Sequence, residues 1–331
     1  MYESFYGLRE RPFDLTPNPK YLVMTESHRE ALLNLEYGIA SGKGITLLIG
    51  EAGSGKTTMI RAAIERLPGR VHCVNLHNPT LSRSEFNEML ARHFGLSPEA
   101  SQSKAVMLTE LEALLRARAD VGERTVLIVD EAQSLPLDLL EEIRLLANIE
   151  TNEQKLLTVI IAGQPELAQR LNDRSLRQFK QRVALRCELR PLTSQETAAY
   201  IVGRIRAAQG VAAEVFTRQA VALMHERSGG IPRTISVIAD NALLGGYAVG
   251  QRPVGVDLVA EICRDFDIGG PAGPTAAKVL PGTRVQTPVK AASAPAPAPS
   301  GTKDAGAAGF GDRGLFSAFS NRRKLFSLFR S

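Results

Sequence analysis

The sequence predicts an α/β domain built on a mostly parallel sheet, followed by a small all-helical domain and a disordered tail. Three observations carry that prediction. Between about residues 40 and 192, short apolar β-rich runs alternate with amphipathic stretches. From Thr193 the alternation gives way to helix-like segments alone. From Gly269 onward Gly, Ala and Pro dominate ("KAASAPAPAPSG"), a composition that cannot bury enough apolar surface to fold.

Taken in order, the opening "MYESFYGLRERPF" carries acids and lacks an apolar core of signal-peptide length. "ITLLIG" (45–50) reads as a strand ending at a glycine loop, with a helix starting at Lys56. "RVHCVNL" (70–76), "RTVLIVDEA" (124–132), "KLLTVIIAG" (155–163) and "VALRCELRPL" (183–192) are further strand-like runs. Amphipathic stretches at 84–95, 104–118 and 136–149 lie between them, as a parallel sheet covered on both faces requires. In the helical part, Thr193 and Glu196 form a capping box for a helix that stops at Gly210. "TRQAVALMHERSGG", "IPRTISVIADNALLGGYA" and "GVDLVAEICRDF" supply three more helices. The expected domains are a core over 1–192, an all-helical domain over 193–268, a linker over 269–312 and a basic aromatic tail over 313–331.

Charge is unevenly distributed. The chain carries a net +5, but residues from Gly269 onward hold nine Lys and Arg against two Asp and Glu. The preceding 268 residues are close to neutral, with 31 basic and 33 acidic side chains. Whole-protein charge therefore argues weakly for nucleic acid, although a local basic patch on the core stays open. Three widely spaced cysteines, Cys73, Cys187 and Cys263, show no metal-ligand spacing and suit a reduced interior. No run of about 18 uninterrupted apolar residues occurs, so a cytoplasmic chain without a membrane span is expected.

The chemistry begins at "GEAGSGKTT", residues 50–58. Gly50, four residues, then Gly55-Lys56-Thr57 is the full phosphate-binding loop pattern, set between a predicted strand and a predicted helix. Its glycines let backbone N–H groups curl around phosphates, and the helix N-terminus adds favourable partial charge. The whole stretch, Gly50, Glu51, Ala52, Gly53, Ser54, Gly55, Lys56, Thr57 and Thr58, is expected to hold the nucleotide. Lys56 should reach the β- and γ-phosphates, and Thr57 should offer its hydroxyl to Mg²⁺. In "TVLIVDEAQ" a hydrophobic strand ends in two acids. Asp130 is placed to hold Mg²⁺ through water, and Glu131 to orient or deprotonate the attacking water.

Further polar residues fall at the ends of later elements. Gln164, after the strand in "IAGQPEL", could contact the γ-phosphate or the lytic water. Arg174, Arg177, Lys180, Arg182 and Arg186 cluster before and within the last strand, where an arginine could project into a neighbouring subunit's site. They could equally be a solvated face. Arg233, in "SGGIPRTI", could reach back from a helical lid to the γ-phosphate.

A phosphate loop, a strand-end Asp-Glu, a polar sensor, arginines before the last strand and a helical lid together resemble the AAA+ ATPases. Within them, "FYGLRERPFDLTPNPKYLVMTESHREALLNLEYGI", "GEAGSGKTT", "DEAQ", "GQPEL" and "QR" are similar to the general secretion pathway A (ExeA-type) family, which has relatives beside exosortase and exopolysaccharide systems. The resemblance spans about residues 1–268. It implies ATP as the nucleotide, an N-terminal segment at the adenine and a homo-oligomer with shared active sites. It also implies Gln164 as first sensor, Arg182 as finger and Arg233 as second sensor. Where secretion members continue into a transmembrane helix, this sequence has the linker and "GLFSAFSNRRKLFSLFRS". That tail suits either a weak anchor on anionic membrane, peripheral at the inner face, or a docking peptide for an envelope-system protein. The expected function is an ATP-hydrolysing motor or switch for secretion or surface polysaccharide assembly. A DNA-associated ATPase of transposition-helper type and a non-catalytic nucleotide-gated scaffold are the alternatives.

Overall fold

The computed structural model describes residues 1–15, 24–76 and 81–268, all within one compact unit, Met1–Thr275. The expected linker and tail lie outside the described residues. In chain order the elements are α1 (Glu26–Ala40), β1 (Ile45–Gly50), α2 (Lys56–Arg66), β2 (Val71–Leu76), α3 (Arg83–Phe94), α4 (Pro98–Gln102), α5 (Lys104–Asp120) and β3 (Arg124–Val129). Then come α6 (Leu137–Leu146), β4 (Thr158–Gly163), α7 (Pro165–Arg170), α8 (Arg177–Arg182) and β5 (Val183–Leu189). The helical part holds α9 (Ser194–Ala207), α10 (Ala212–Val215), α11 (Arg218–Ser228), α12 (Pro232–Ala248) and α13 (Val256–Asp265).

All five strand-like runs of the sequence form strands, and they pair in parallel in the order β2-β3-β4-β1-β5. The central strands β1 and β4 are buried along their whole length, which is why they read as unbroken apolar runs. Alternate side chains serve opposite faces. Ile45, Leu47 and Ile49 join Leu127, Val129, Val159 and Ile161 under α3, α5 and α6. Leu48, Val126, Ile128, Ile160 and Ala162 pack under α1 and α2, against Leu32, Leu35, Ile39, Met59 and Ile60. Each such aliphatic side chain contributes about 1.5–3 kcal/mol of burial.

Four helices of the sheet domain, α1, the short α4 and α7, and α8, have no counterpart among the helices read from the sequence. One is α1, capped by Thr25, whose buried residues Ala31, Leu32, Leu35 and Ile39 lie along one helix face. Another is α8, in the arginine-rich stretch before the last strand. From Thr193 the four helices read from the sequence form, with the short α10 added between α9 and α11, and the Thr193–Glu196 capping box forms at the start of α9.

The opening segment departs from the 1–192 grouping. Tyr2, Tyr6, Leu8 and Phe13 are buried in the helical cluster with Tyr200, Ile201, Ile205, Phe216, Ile238 and Leu243, not against the sheet. The reason is available surface. Both sheet faces are already covered by helices, whereas α9, α12 and the strip around Phe216 leave room for aromatic rings. Tyr2 hydroxyl donates to Asp240, Tyr6 hydroxyl donates to the Gln251 carbonyl at 3.1 Å, and Phe13 meets Phe216 edge-on at 6.1 Å. No helix among the described residues is long and apolar enough to cross a membrane.

Candidate nucleotide site

Every strand pairing is parallel, so the residues following each strand emerge at one edge of the sheet. That edge is where open α/β sheets bind ligands. Gly50 ends β1, Asp130 follows β3 and Gln164 follows β4. The topology thus gathers three separate sequence motifs.

The loop between β1 and α2 turns through Gly53 at φ +80° and Gly55 at φ +100°, conformations that a side chain would strain. Gly55 is the N-cap of α2, so the loop's backbone runs into the helix N-terminus. Lys56, only 5% exposed, lies in the loop, its Nζ donating to the carbonyls of Gly50 (2.9 Å) and Glu51 (3.2 Å). Thr57 Oγ1 donates to Asp130 Oδ2 at 2.8 Å, which joins the loop to the strand-end acid. Ser54 is buried, and its hydroxyl oxygen has no hydrogen-bond partner. Glu51 and Ala52 are exposed, and Thr58 is half-buried in the first turn of α2.

Asp130 Oδ1 also accepts the Glu131 N–H at 2.9 Å, so the pair does shape the short 3₁₀ turn that follows. Glu131 sits at φ 52°, in the left-handed region that a non-glycine residue rarely adopts. Its Oε2 accepts from Gln133 Nε2 (2.6 Å) and Gln164 Nε2 (3.2 Å). Partial burial would raise the carboxyl pKa. The hydrogen bonds from Gln133 and Gln164 and the Lys56 charge outweigh it, and hold Glu131 below the usual glutamate range.

Gln133 escaped the sequence reading. Besides its bond to Glu131, its Oε1 accepts the Gln164 N–H at 3.1 Å, and Arg170 donates to its main-chain carbonyl. It therefore connects the ends of β3 and β4. Its only sequence signal is its place two residues after Glu131, which says nothing of β4. His28 escaped as well, and α1 places it beside the loop, with Nε2 3.9 Å from where a Cβ on Gly55 would lie.

Arg233 is exposed at the second position of α12, and its backbone N–H donates to the Gly53 carbonyl at 3.2 Å. The helical part thus touches the loop directly. Arg182 lies elsewhere. It precedes β5, whose first residue pairs with Ile45 at the start of β1, so it stands at the opposite end of a sheet about 20 Å deep. Within one copy it is not part of the site.

The donor set suits Mg²⁺ held partly by a nucleotide. Among the described residues no group of three or more His, Cys, Asp and Glu side chains could hold a metal alone. Thr57 and Asp130 offer one hydroxyl and one carboxylate at hydrogen-bond distance, and Mg²⁺ commonly takes one or two protein oxygens with phosphates and water.

Comparison with known proteins agrees with this architecture. Residues 39–171 match the AAA domain family. General secretion pathway protein A of Aeromonas hydrophila is 41% identical over 254 residues, 77% of this chain and 46% of that protein, so the chain spans about half the length of that relative. Among solved structures, the Aeropyrum pernix ORC2 protein in ADPNP–ADP complexes superposes with a TM-score of 0.59 at 19% identity, over 77% of this chain and 71% of that one. Cdc6p from Pyrobaculum aerophilum gives 0.56 at 16% identity, over 77% and 70%. At such identities these structures speak to fold alone. The parallel five-stranded sheet, the loop joined to a strand-end acid and the extended identity lead to one assignment: the chain belongs to the AAA+ ATPases of the general secretion pathway A (ExeA) type.

Proposed function

We propose that this protein binds ATP with Mg²⁺ in the Gly50–Thr58 loop and hydrolyses it, working as an oligomeric switch for an envelope-linked system. The observation that carries the catalytic reading is the 2.8 Å contact between Thr57 and Asp130, with Glu131 the next residue and already oriented by two amides. Lys56 and the loop amides bind the phosphates, while Thr57 and Asp130 hold the metal, which would neutralise phosphate charge. Glu131, kept ionised, orients the attacking water and takes its proton. Gln164 contacts the γ-phosphate side from β4. Residues 193–268 act as a lid, with Arg233 as the group that reports nucleotide state to them.

Arg182 enters this scheme through a second copy of the chain, since its end of the sheet faces away from its own loop. The envelope role takes its support from the name of the Aeromonas relative. With that role we propose a cytoplasmic protein working at the inner face of the membrane, with an envelope-system protein or anionic lipid as partner for residues 313–331.

Two variants test the reading. Lys56→Ala should abolish ATP binding. Glu131→Gln should keep binding and lose turnover by about 10²–10⁴-fold, the usual weight of a general base. Steady-state phosphate release, together with equilibrium titration by a fluorescent ATP analogue, reads both. Unchanged turnover in Glu131→Gln would favour a nucleotide-gated scaffold instead.

A further inference from the structure

Glu131 is followed by a short 3₁₀ turn, Ala132–Ser134, that leads through Leu135 and Pro136 into α6. Its internal bonds run from the Ser134 N–H to the Glu131 carbonyl at 3.0 Å and from the Leu135 N–H to the Ala132 carbonyl at 3.2 Å. The first bonds of α6 run from the Leu139 and Leu140 N–H groups to the Pro136 carbonyl. The carbonyls of Gln133 and Leu135 fall between these two sets, where a helical segment ends and its acceptors need donors from elsewhere. Arg170 supplies them. Its guanidinium donates through Nη1 to the Gln133 carbonyl and through Nη2 to the Leu135 carbonyl, the latter at 2.7 Å.

The donor is as firmly rooted as the acceptors. Arg170 closes α7, whose Leu167 is fully buried, and the next residue, Leu171, is buried as well. Both join the same core as Ala132, Leu135, Leu139 and Ile143. A guanidinium suits the place, because its flat fork serves two carbonyls at once from a single stem. The turn it grips follows a costly backbone conformation. Glu131 sits at φ 52°, which a non-glycine residue keeps only where its surroundings impose it. Gln133, the middle residue of the turn, donates to the Glu131 carboxylate at 2.6 Å, so the path of the turn sets where that carboxylate points. If the turn relaxed and Glu131 returned to negative φ, its Cβ would swing and the carboxylate would leave Gln133 and Gln164.

We propose that Arg170 is a positioning residue for ATP hydrolysis, which clamps the turn after β3 and thereby holds the Glu131 carboxylate in its working orientation. This rests on Glu131 serving as the base in the proposed reaction. Arg170 acts only through the main chain of the turn. The segment after β4 then fixes Glu131 twice, from Gln164 at the carboxylate and from Arg170 at the turn behind it. Phosphate binding, carried by Lys56 and the Gly50–Thr58 loop, does not pass through this clamp. Loss of Arg170 should therefore separate turnover from nucleotide affinity.

The experiment measures steady-state ATP turnover, and equilibrium affinity for a fluorescent ATP analogue, in Arg170→Met, Arg170→Lys and Arg170→Ala variants of the full chain. Met keeps an unbranched stem without donors, and Lys keeps a charged donor without the fork. Turnover should fall about tenfold or more in Met, since bonds to a charged group carry at least that weight, and fall less in Lys. ATP affinity should stay within about threefold of wild type in both. In Ala, guanidinium chloride should restore part of the turnover, and sodium chloride at equal ionic strength should not. Amide hydrogen exchange over residues 131–135 should quicken in Met. Wild-type turnover in Met would overturn the proposal, as would affinity lost in step with turnover, or an equal response of Ala to the two salts. If Met failed to fold, Lys and the guanidinium response would decide by the same criteria. If wild-type protein hydrolysed no ATP, the reading of Glu131 as base would fall, while the exchange comparison would still decide whether Arg170 holds the turn.

Discussion

Gln133 shows how much one side chain can connect. Its amide donates to Glu131 on one side and accepts the Gln164 N–H on the other, so it joins the ends of β3 and β4 beside the direct bond from Gln164 to Glu131. Glu131 gains a fixed carboxylate orientation at an unusual backbone angle. Replacing Gln133 by Leu removes both bonds while keeping similar bulk. Turnover should drop by up to about tenfold with ATP affinity unchanged, since a neutral hydrogen bond contributes about 0.5–1.5 kcal/mol. The sign of the pH effect also follows. In the proposed role Glu131 acts as a base when ionised, and its pKa is held down by donors. Losing one donor lets the pKa rise, so the acidic limb of the kcat–pH profile should move to higher pH. A limb that stays in place would show that Gln133 does not act on Glu131. Asp130 and Glu131 were legible because an apolar run ends abruptly in two acids. Gln133 was not, because its contacts depend on β4 lying beside β3, and neither was the approach of His28 to the loop, which depends on where α1 packs.

Elements were read well where the period was clear and poorly where the interior chose for them. The inner strands β1, β3 and β4 stood out as apolar runs because a parallel sheet buries both their faces, whereas the edge strands β2 and β5 are only partly buried. In α1 the buried face is narrow, and charged residues such as Glu30 and Glu36 interrupt the pattern, so only its Thr25 cap marks a start. Contact between α12 and the phosphate loop was legible only as a possibility for Arg233. What makes it close is a glycine. A Cβ on Gly53 would lie 2.5 Å from Arg233 Cβ, and Gly53 holds φ +80°. Gly53→Ala should therefore both strain the loop and push α12 away, weakening ATP binding by about tenfold or more, on a strain of about 1–3 kcal/mol. Gly122→Ala is the control. It shares a positive φ, +76°, but meets nothing within 4 Å, so it should lose about 1–2 kcal/mol of stability with ATP affinity intact. Equal ATP affinity in the two variants would remove the close approach as a determinant of the site.

Across the described residues, the opening segment closes on the helical part of the fold. Tyr2, Tyr6, Leu8 and Phe13 of the opening segment sit in the core of the helical part, although α1 and the entire sheet separate them in sequence from α9–α13. Arg252 donates to the Phe5 carbonyl at 2.7 Å, Arg9 N–H donates to Ala208 O at 2.9 Å, and Tyr6 reaches Gln251. This pairing was not legible in the sequence, because nothing local in "MYESFYGLRERPF" says which core its aromatics enter. It makes the helical layer dependent on a segment that also leads to α1 and hence to His28 and the loop. Phe13 is the test of that dependence. It is 1% exposed and stacked edge-on against Phe216, so Phe13→Ala should remove about 3–5 kcal/mol by loss of burial and by the cavity left behind. For a unit of this size that corresponds to a melting temperature lower by roughly 6–20 °C. Leu33→Ala, at a residue exposed on α1, should change it by little. Differential scanning calorimetry on both variants decides the matter. A Phe13→Ala protein melting like wild type would mean that the opening segment only rests on the helical layer, and a large loss would show that it completes that layer's core.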